Sequence, residues 1–135
     1  MKLFDCFMYN NEDLLLDLRL NILDRFVDKF IIIESQFDHQ GKKKKLNLKI
    51  KNFSKFKKKI KYRILHTFPK KITSWERENY NRNFIMTCLG NVKPDDYVMI
   101  SDLDEIPKIK DKSIFEKKKY TVFTQKMFYY KFNLL

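Results

Sequence analysis

Hydrophobic and polar positions follow two different periods along the chain, and each change of period marks a new element. The segments "KLFDCFMY", "FIIIES", "KYRILHTF" and "DDYVMISD" are short, apolar and rich in β-branched or aromatic residues, as buried strands are. Two longer segments have the period of a helix, and the second opens at a capping box from Thr73 to Glu76 and closes near Gly90. This order predicts an α/β fold, a sheet with helices covering both faces.

Finer details of these elements can also be predicted. We expect a short helix within residues 108–119 and a final strand in "YTVFTQKMFYYKFNL", whose exposed edge could pair two copies of the chain in a homodimer. We expect Trp75 to pack at the start of the second helix rather than to stack on a base. In the first helix, the spacing predicts a buried face of Leu15, Leu18, Ile22 and Phe26, with Leu23 and Val27 beside them. The predicted solvated face consists of Asp17, Arg19, Asp24 and Asp28.

Length and composition narrow the class of protein. A chain of 135 residues with 44% hydrophobic content can bury one modest core, so residues 1–135 are predicted to form a single domain. The longest apolar runs have four residues, far fewer than the ~20 that a membrane span needs. Asp5 interrupts the place where a signal peptide would be apolar, and Cys6 and Cys88 are expected to be reduced and buried. We therefore expect a cytoplasmic location.

The net charge of +12 comes almost entirely from lysine. Arginine supplies the planar contacts that read phosphates and guanine, so its scarcity argues against specific nucleic-acid recognition. The densest basic region runs from Lys42 to Lys61 and is interpreted as a solvated surface. A peripheral contact of this region with an anionic membrane or another polyanion is the alternative function, that of a non-enzymatic binding module.

Three acids follow the fourth predicted strand in "YVMISDLDEIP". Residues two apart in an extended chain share a face, so Asp102 and Asp104 should point the same way and Leu103 toward the core. Two carboxylates so placed repel each other unless a cation lies near. Mg²⁺ and Mn²⁺ take one or two carboxylates and complete their coordination with water and substrate phosphate. The stretch therefore predicts a metal diphosphate site with Asp102 and Asp104 as ligands; a solvated turn ended by Pro107 is the alternative.

Other metal-binding motifs fit this stretch less well. A helix-loop-helix calcium site needs glycine at its sixth position, which counted from Asp102 is Pro107. A phosphatase of the dehalogenase type continues its Asp-x-Asp with Gly-Thr, whereas this chain continues with Glu105 and Ile106. A sugar-nucleotide glycosyltransferase carries the same motif late in its nucleotide-binding half, and the position of Asp102 agrees with that arrangement.

Four segments in order carry a family resemblance: "FDCFMYNNEDLLLDLRLNIL", "VDKFIIIES", "WERENYNRNFI" and "DDYVMISDLDEIP", with "MFYYKFNLL" a weaker match. On these segments the chain resembles glycosyltransferase family 17, the β-1,4-mannosyl-glycoprotein 4-β-N-acetylglucosaminyltransferase family, whose eukaryotic members add the bisecting N-acetylglucosamine to N-glycans. The resemblance implies a GT-A (Rossmann-like) fold, a UDP-sugar donor, a divalent metal (Mn²⁺ or Mg²⁺), and inverting transfer to a glycan or glycolipid acceptor.

The resemblance also implies roles for individual residues near the acidic stretch. Asp104 would be the principal metal ligand, and Asp102 would bind the ribose, or the metal through water. Glu105 corresponds to the acid that follows the motif in the family. At the end of the first strand, Phe7 to Asn10 would lie near the uracil, and Glu34 ends the second strand on the same sheet edge.

Helix residues complete the set implied by the resemblance. Arg82 and Asn83 are similar to the pair that approaches the nucleotide in many GT-A enzymes, and Arg77 is a further nucleotide-binding candidate. The alternative for both arginines is ordinary pairing with Glu76 and Glu78 on a solvated helix face. The family continues beyond this sequence with the acceptor-binding part, so we expect that part to be missing or reduced and assign no general base. An inactive remnant that still binds UDP is a further alternative.

Overall fold

A computed structural model describes residues 1–116 and 119–126 of the chain. Helices and strands alternate along it, so the predicted α/β, Rossmann-like fold is confirmed. In chain order the elements are β1 (Leu3–Met8), α1 (Asp13–Leu23), β2 (Lys29–Ser35), a 3₁₀ helix (Ile50–Phe56), β3 (Ile60–Leu65), α2 (Ser74–Leu89), β4 (Tyr97–Ile100) and α3 (Ser113–Glu116).

The strands form a four-stranded sheet in the order β3-β2-β1-β4, and every neighbouring pair is parallel. The chain builds outward from β1 through β2 to β3 and then crosses back to place β4 on the other side of β1. The direction of winding therefore reverses between β1 and β4. In open α/β sheets, ligands bind outside the carboxyl ends of the strands at such a reversal.

Side chains of the two central strands are buried on both faces of the sheet, as the apolar runs predict. One face places Leu3, Phe7 and Ile32 in a core with the leucines of α1. On the other face, strand residues pack against Ile85 and Cys88 of α2. These strand residues are Phe4, Cys6, Ile31 and Ile33. Helices on both faces are thus confirmed. Both cysteines are free and buried, also as predicted.

Leu23, Phe26 and Val27 are buried as predicted, but α1 exposes Leu18 and Ile22, which were also expected to be buried. The buried residues of α1 are Leu16, Arg19, Leu20 and Leu23, whereas Leu18 is 47% and Ile22 44% exposed. The physical reason lies in β1, where Asp5 points toward the same face as α1 and is fully buried. A buried carboxylate needs a partner, and the helix supplies Arg19 by turning it inward.

Two further predictions fail in the described residues. Residues 120–126 are not in a strand, so the expected final strand is wrong there, and its remainder at 127–134 lies outside the described residues. The predicted packing of Trp75 is also wrong, because the side chain is 69% exposed at the first turn of α2. The short helix expected within 108–119 is confirmed as α3.

The lysine-rich segment is held to the fold by its aromatic residues. Phe53 and Phe56 are buried in the core on the α1 side, while most of the lysines between Lys42 and Lys61 are exposed. This arrangement agrees with a solvated surface. Within the described ranges, no helix combines the length and the apolar character that crossing a bilayer requires.

Candidate functional site

A cavity of about 320 Å³ lies at the carboxyl edge of the sheet. Its wall is formed by Asn10 after β1, Lys44 in the loop after β2, and Asp102 and Asp104 after β4. Residues 77, 78, 81 and 82 of α2 form another side, since they lie on one face of that helix. The cavity has the size of small-molecule sites and adjoins the reversal between β1 and β4.

The acidic stretch forms a tight turn rather than a continuation of β4. The backbone N–H of Glu105 donates to the carbonyl oxygen of Asp102 at 3.1 Å, and that of Ile106 donates to Asp104 at 3.0 Å. Leu103 is buried, whereas Asp102 and Asp104 are exposed and line the cavity. The expected alternation of these three side chains is therefore present, but a turn produces it instead of an extended strand.

Glu105 has a structural position in this turn. Its carboxylate oxygen Oε2 accepts a hydrogen bond from the backbone N–H of Asp102 at 3.0 Å. Glu105 does not line the cavity, unlike the two aspartates before it. The third acid therefore holds the turn closed, which leaves the carboxylates of Asp102 and Asp104 as the two that face the cavity.

Arg19 is the residue of this region that sequence reasoning missed. Its Nε and Nη2 donate to the two carboxylate oxygens of Asp5 at 2.9 and 2.7 Å, and both side chains are fully buried. Its Nη1 donates to three carbonyl oxygens of the acidic turn, those of Asp102 at 2.7 Å, Leu103 at 3.1 Å and Glu105 at 3.2 Å. One guanidinium thus ties the turn to β1 and α1.

Further contacts fix the guanidinium of Arg19. Its Nη2 donates to Ser101 Oγ at 2.7 Å, and its Cζ lies 4.6 Å from the centre of the Phe7 ring, a cation–π distance. Burial raises the pKa of the Asp5 carboxyl, and the hydrogen bonds and charge of Arg19 offset part of that rise. A signal for this pair existed in the sequence, because an acid inside the apolar strand "LFDCFM" needs a buried partner.

Seven of the residues predicted for nucleotide or metal binding meet at the cavity. They are Met8, Tyr9, Asn10, Arg77, Arg82, Asp102 and Asp104. Arg82 Nη2 lies 3.4 Å from Asp102 Oδ1 and 3.1 Å from Glu78 Oε1, so it pairs along the helix and also reaches the acidic turn. The ordinary pairing considered for Arg82 is thus present together with a contact to the candidate site.

Arg77 lies at the other end of the cavity, beside the loop that follows β2. Its Nε donates to the carbonyl oxygen of His39 at 3.4 Å. A Cβ at Gly41, whose φ is +82°, would lie 2.9 Å from Arg77 Cζ. The guanidinium of Arg77 therefore occupies space that a side chain at residue 41 would fill.

Phe7, Glu34 and Asn83 do not line the cavity. Phe7 is fully buried in the core beneath Arg19, and Asn83 lies exposed on α2. Glu34 is fully buried, and its oxygens accept hydrogen bonds from the backbone N–H of Asn47 at 2.7 Å and from the Tyr62 hydroxyl at 2.7 Å. Burial and this contact raise the pKa of Tyr62. Glu34 therefore anchors the loop after β2.

The carboxylates at the cavity can be tested against the chemistry of a divalent metal. In the part of the chain that the structure describes, no cluster of three or more histidine, cysteine, aspartate or glutamate side chains is placed to hold an ion. A closed protein cage for a metal is therefore not formed by these residues. Asp102 and Asp104 do fit the looser requirement of Mg²⁺ or Mn²⁺ shared with substrate phosphates, since one or two carboxylates then suffice.

A parallel α/β sheet, a cavity at its winding reversal and an acidic turn after the edge strand place the chain among parallel α/β proteins with a small-molecule-sized cavity at the carboxyl edge of the sheet. A family model described as glycosyltransferase family 17 matches residues 1–132. The chain belongs to glycosyltransferase family 17, and the resemblance found in its sequence is confirmed.

Individual relatives agree with this assignment. The chain is 34% identical over 108 residues to the beta-1,4-mannosyl-glycoprotein 4-beta-N-acetylglucosaminyltransferase of Homo sapiens, and equally to that of Rattus norvegicus. Each match covers 73% of this chain and 20% of the relative, so the chain spans about a fifth of the length of the curated relatives it matches. No solved structure matches the chain.

Proposed function

We propose that this chain forms the donor-binding part of a metal-dependent glycosyltransferase that uses a UDP-sugar. The observation that carries the proposal is the cavity at the winding reversal, where Asp102 and Asp104 face the same space as Arg82. Membership of family 17 favours sugar transfer, and the name of the relatives favours N-acetylglucosamine as the sugar. The acceptor would be a glycan or glycolipid.

The residues of the cavity suit the recognition of a diphosphate. Asp104, with Asp102 beside it, would hold Mn²⁺ or Mg²⁺, which when bound supplies positive charge that stabilises the departing UDP. Arg82 lies next to this position, and a guanidinium can donate two hydrogen bonds to a phosphate. Arg19 holds the backbone of the acidic turn, so both carboxylates are positioned before the ligand arrives.

The proposed transfer inverts the anomeric centre. The oxygen of an acceptor hydroxyl forms a bond to the anomeric carbon while the bond from that carbon to the phosphate oxygen breaks on the opposite face. The electron pair of the broken bond leaves with UDP, and the acceptor proton passes to a general base. No residue of this chain is assigned as that base.

Calorimetric titration of UDP and UDP-N-acetylglucosamine, with and without Mn²⁺, tests the donor site. We expect binding that requires the metal and weakens at least about tenfold in Asp104→Asn and also weakens in Asp102→Asn. Asp95→Asn is the matched control, because Asp95 is exposed before β4 at the opposite edge of the sheet. The control should bind as the wild type does.

Two other outcomes have distinct meanings. If no UDP binding occurs under any condition, the donor-site proposal is wrong. Polyanion binding that falls steeply with salt and is unaffected by Asp102→Asn would then favour the lysine-rich binding module. Metal-dependent UDP binding without sugar transfer or donor hydrolysis would instead identify an inactive UDP-binding remnant.

A further inference from the structure

Two buried polar side-chain atoms of the described residues lack a hydrogen-bond partner, and both belong to residues that line the cavity. They are Lys44 Nζ and Asn81 Oδ1. Buried polar atoms in proteins nearly always have partners. An unpaired donor and an unpaired acceptor at one cavity therefore indicate a ligand that supplies the matching atoms.

Lys44 lines the cavity, and its buried ammonium group donates no hydrogen bond to the protein. It lies 3.7 Å from Glu34 Oε1, which is too long for a hydrogen bond. The oxygens of Glu34 already accept from the backbone N–H groups of Asn47 and Leu48 and from the Tyr62 hydroxyl. Glu34 thus balances the charge of Lys44 without satisfying its hydrogen-bond donors.

Asn81 lies on α2 one turn after Arg77 and directly before Arg82. Arg77 contacts His39 in the loop after β2, and Arg82 contacts Asp102 after β4. Asn81 therefore lies between the residues that mark the two ends of the cavity, and its buried side-chain carbonyl oxygen accepts no hydrogen bond. A ligand that reaches from one end to the other would pass this oxygen.

The positions of these atoms indicate which part of a nucleotide they would contact. Lys44 follows β2 and Asp104 follows β4, with β1 between them, so the two strand ends are about 10 Å apart at the usual strand spacing. An extended nucleotide with its diphosphate at the acidic turn would place its base toward Lys44. A diphosphate carries only acceptors here and cannot donate to Asn81, whereas the imide edge of uracil carries both kinds of group.

We propose that Lys44 and Asn81 recognise the uracil base of the donor: Lys44 donates to a carbonyl oxygen, and Asn81 accepts from the imide N–H. This inference rests on the proposed donor site and specifies its nucleoside end. It assigns the base to the β2 side of the cavity and the diphosphate to the β4 side. It also predicts a preference for UDP over CDP, because cytosine has an acceptor at the ring position where uracil has the imide N–H.

The test uses Lys44→Met and Asn81→Leu, with Lys93→Met and Asn91→Leu as matched controls. Lys93 and Asn91 are exposed before β4, away from the cavity. Affinities for UDP, CDP and inorganic diphosphate are measured by calorimetry with Mn²⁺. We expect each cavity variant to bind UDP roughly tenfold more weakly and diphosphate unchanged, and Asn81→Leu to lose the preference for UDP over CDP. The controls should leave all three affinities unchanged.

Thermal unfolding of the unliganded variants separates recognition from a structural role. Asn81→Leu removes a buried oxygen that has no partner, so its melting temperature should not fall. Lys44→Met removes the positive charge beside the buried Glu34 carboxylate, so its melting temperature is expected to fall, and an unchanged affinity for diphosphate distinguishes loss of base recognition from loss of structure. A fall in melting temperature together with weaker binding of both UDP and diphosphate would show a structural role and overturn the inference.

Two binding results would also overturn it. If Lys44→Met weakens UDP and diphosphate equally, the ammonium contacts phosphate rather than the base. Unchanged UDP affinity in both cavity variants would mean that water, and not the nucleotide, forms the hydrogen bonds to Lys44 Nζ and Asn81 Oδ1. The wild-type chain is measured first. If it binds neither UDP nor diphosphate in the presence of Mn²⁺, the proposed donor site itself is wrong.

Discussion

Arg19 of α1 and Asp5 of β1 form an ion pair in which neither side chain is exposed to solvent. The same guanidinium donates to the carbonyl oxygens of Asp102 and Leu103, 83 and 84 residues away in the sequence. The pair therefore joins the first strand and helix to the turn that carries the candidate metal ligands. One side chain therefore contributes both to the stability of the fold and to the geometry of the site.

Substitution of Arg19 by methionine should strongly destabilise the protein. The carboxylate of Asp5 would remain buried without its partner, and the free energy of unfolding should fall by roughly 3–5 kcal/mol. The acidic turn would also lose the three hydrogen bonds that Arg19 donates to it. Urea unfolding followed by circular dichroism measures the change, with Arg25→Met as the control because Arg25 is exposed two residues after the end of α1.

The double variant Asp5→Leu with Arg19→Met tests the cause of that loss. Since it removes both charges, it should be more stable than Arg19→Met alone. A double variant as unstable as the single one would contradict an unpaired buried charge as the origin. The loss would then come from packing or from the hydrogen bonds to the turn.

Arg82→Gln should change two affinities in opposite directions. Arg82 Nη2 lies 3.4 Å from Asp102 Oδ1, so its loss removes a positive charge that opposes a divalent cation. Mn²⁺ without nucleotide should bind about twofold to fivefold more tightly, because both side chains are exposed and the effect is screened. UDP in the presence of Mn²⁺ should bind roughly tenfold more weakly, since a charged hydrogen bond to phosphate is lost.

Electron paramagnetic resonance of free Mn²⁺ and calorimetry of UDP measure the two effects. Arg63→Gln on β3 controls for the change in net charge, since Arg63 is exposed and does not line the cavity. If Arg82→Gln moves both affinities the same way, Arg82 does not contact the diphosphate. Little change in stability is expected, because the ion pairs of Arg82 are exposed.

Local sequence patterns were sufficient to predict the fold because their causes lie within a few residues. Strands β1 and β2 are buried on both faces and therefore appear as apolar runs. The capping box of α2 is confirmed, with Thr73 Oγ1 accepting from the N–H of Glu76 at 3.2 Å and Glu76 Oε2 accepting from the N–H of Thr73 at 2.7 Å. Gly90 ends the helix with φ of +71°.

The candidate site was predicted only in part because its geometry depends on distant residues. Asp102 and Asp104 were identified from their position after an apolar strand, and they do line the cavity. Arg19 was placed on the solvated face of α1, because periodicity alone cannot show that Asp5, 14 residues earlier, needs a partner. Lys44 comes from a loop, for which no periodic pattern exists to indicate orientation.

The thiol of Cys6 should be unreactive in the native protein. Cys6 is fully buried on β1, and burial, with the nearby charge of Asp5, raises the pKa of this thiol well above its ordinary value. Because the thiolate is the reactive form, iodoacetamide near pH 8 should leave Cys6 unmodified, while urea-unfolded protein is alkylated readily. Mass spectrometry of both samples measures this. Rapid native labelling would mean that the face of the sheet covered by α2 opens to solvent.

Asp28 should make stability depend on pH in the acidic range. Its Oδ2 accepts hydrogen bonds from the backbone N–H of Leu3 and from Lys112 Nζ, both at 2.8 Å. Partial burial raises the pKa of Asp28. The two hydrogen bonds and the charge of Lys112 outweigh this rise, so the net pKa lies below its ordinary value. The carboxylate therefore stabilises the fold above the unfolded pKa of about 3.9, and this contribution is lost as the pH falls through the lower folded pKa.

Asp28→Asn should consequently be less stable than the wild type at neutral pH, by about 1 kcal/mol because the side chain is 39% exposed. The difference should narrow as the pH is lowered past about 4. Urea unfolding at a series of pH values measures it. Asp17→Asn, an exposed position on α1, serves as the control and should match the wild type throughout. If the Asp28→Asn deficit is the same at neutral and acidic pH, the ionised carboxylate is not its source.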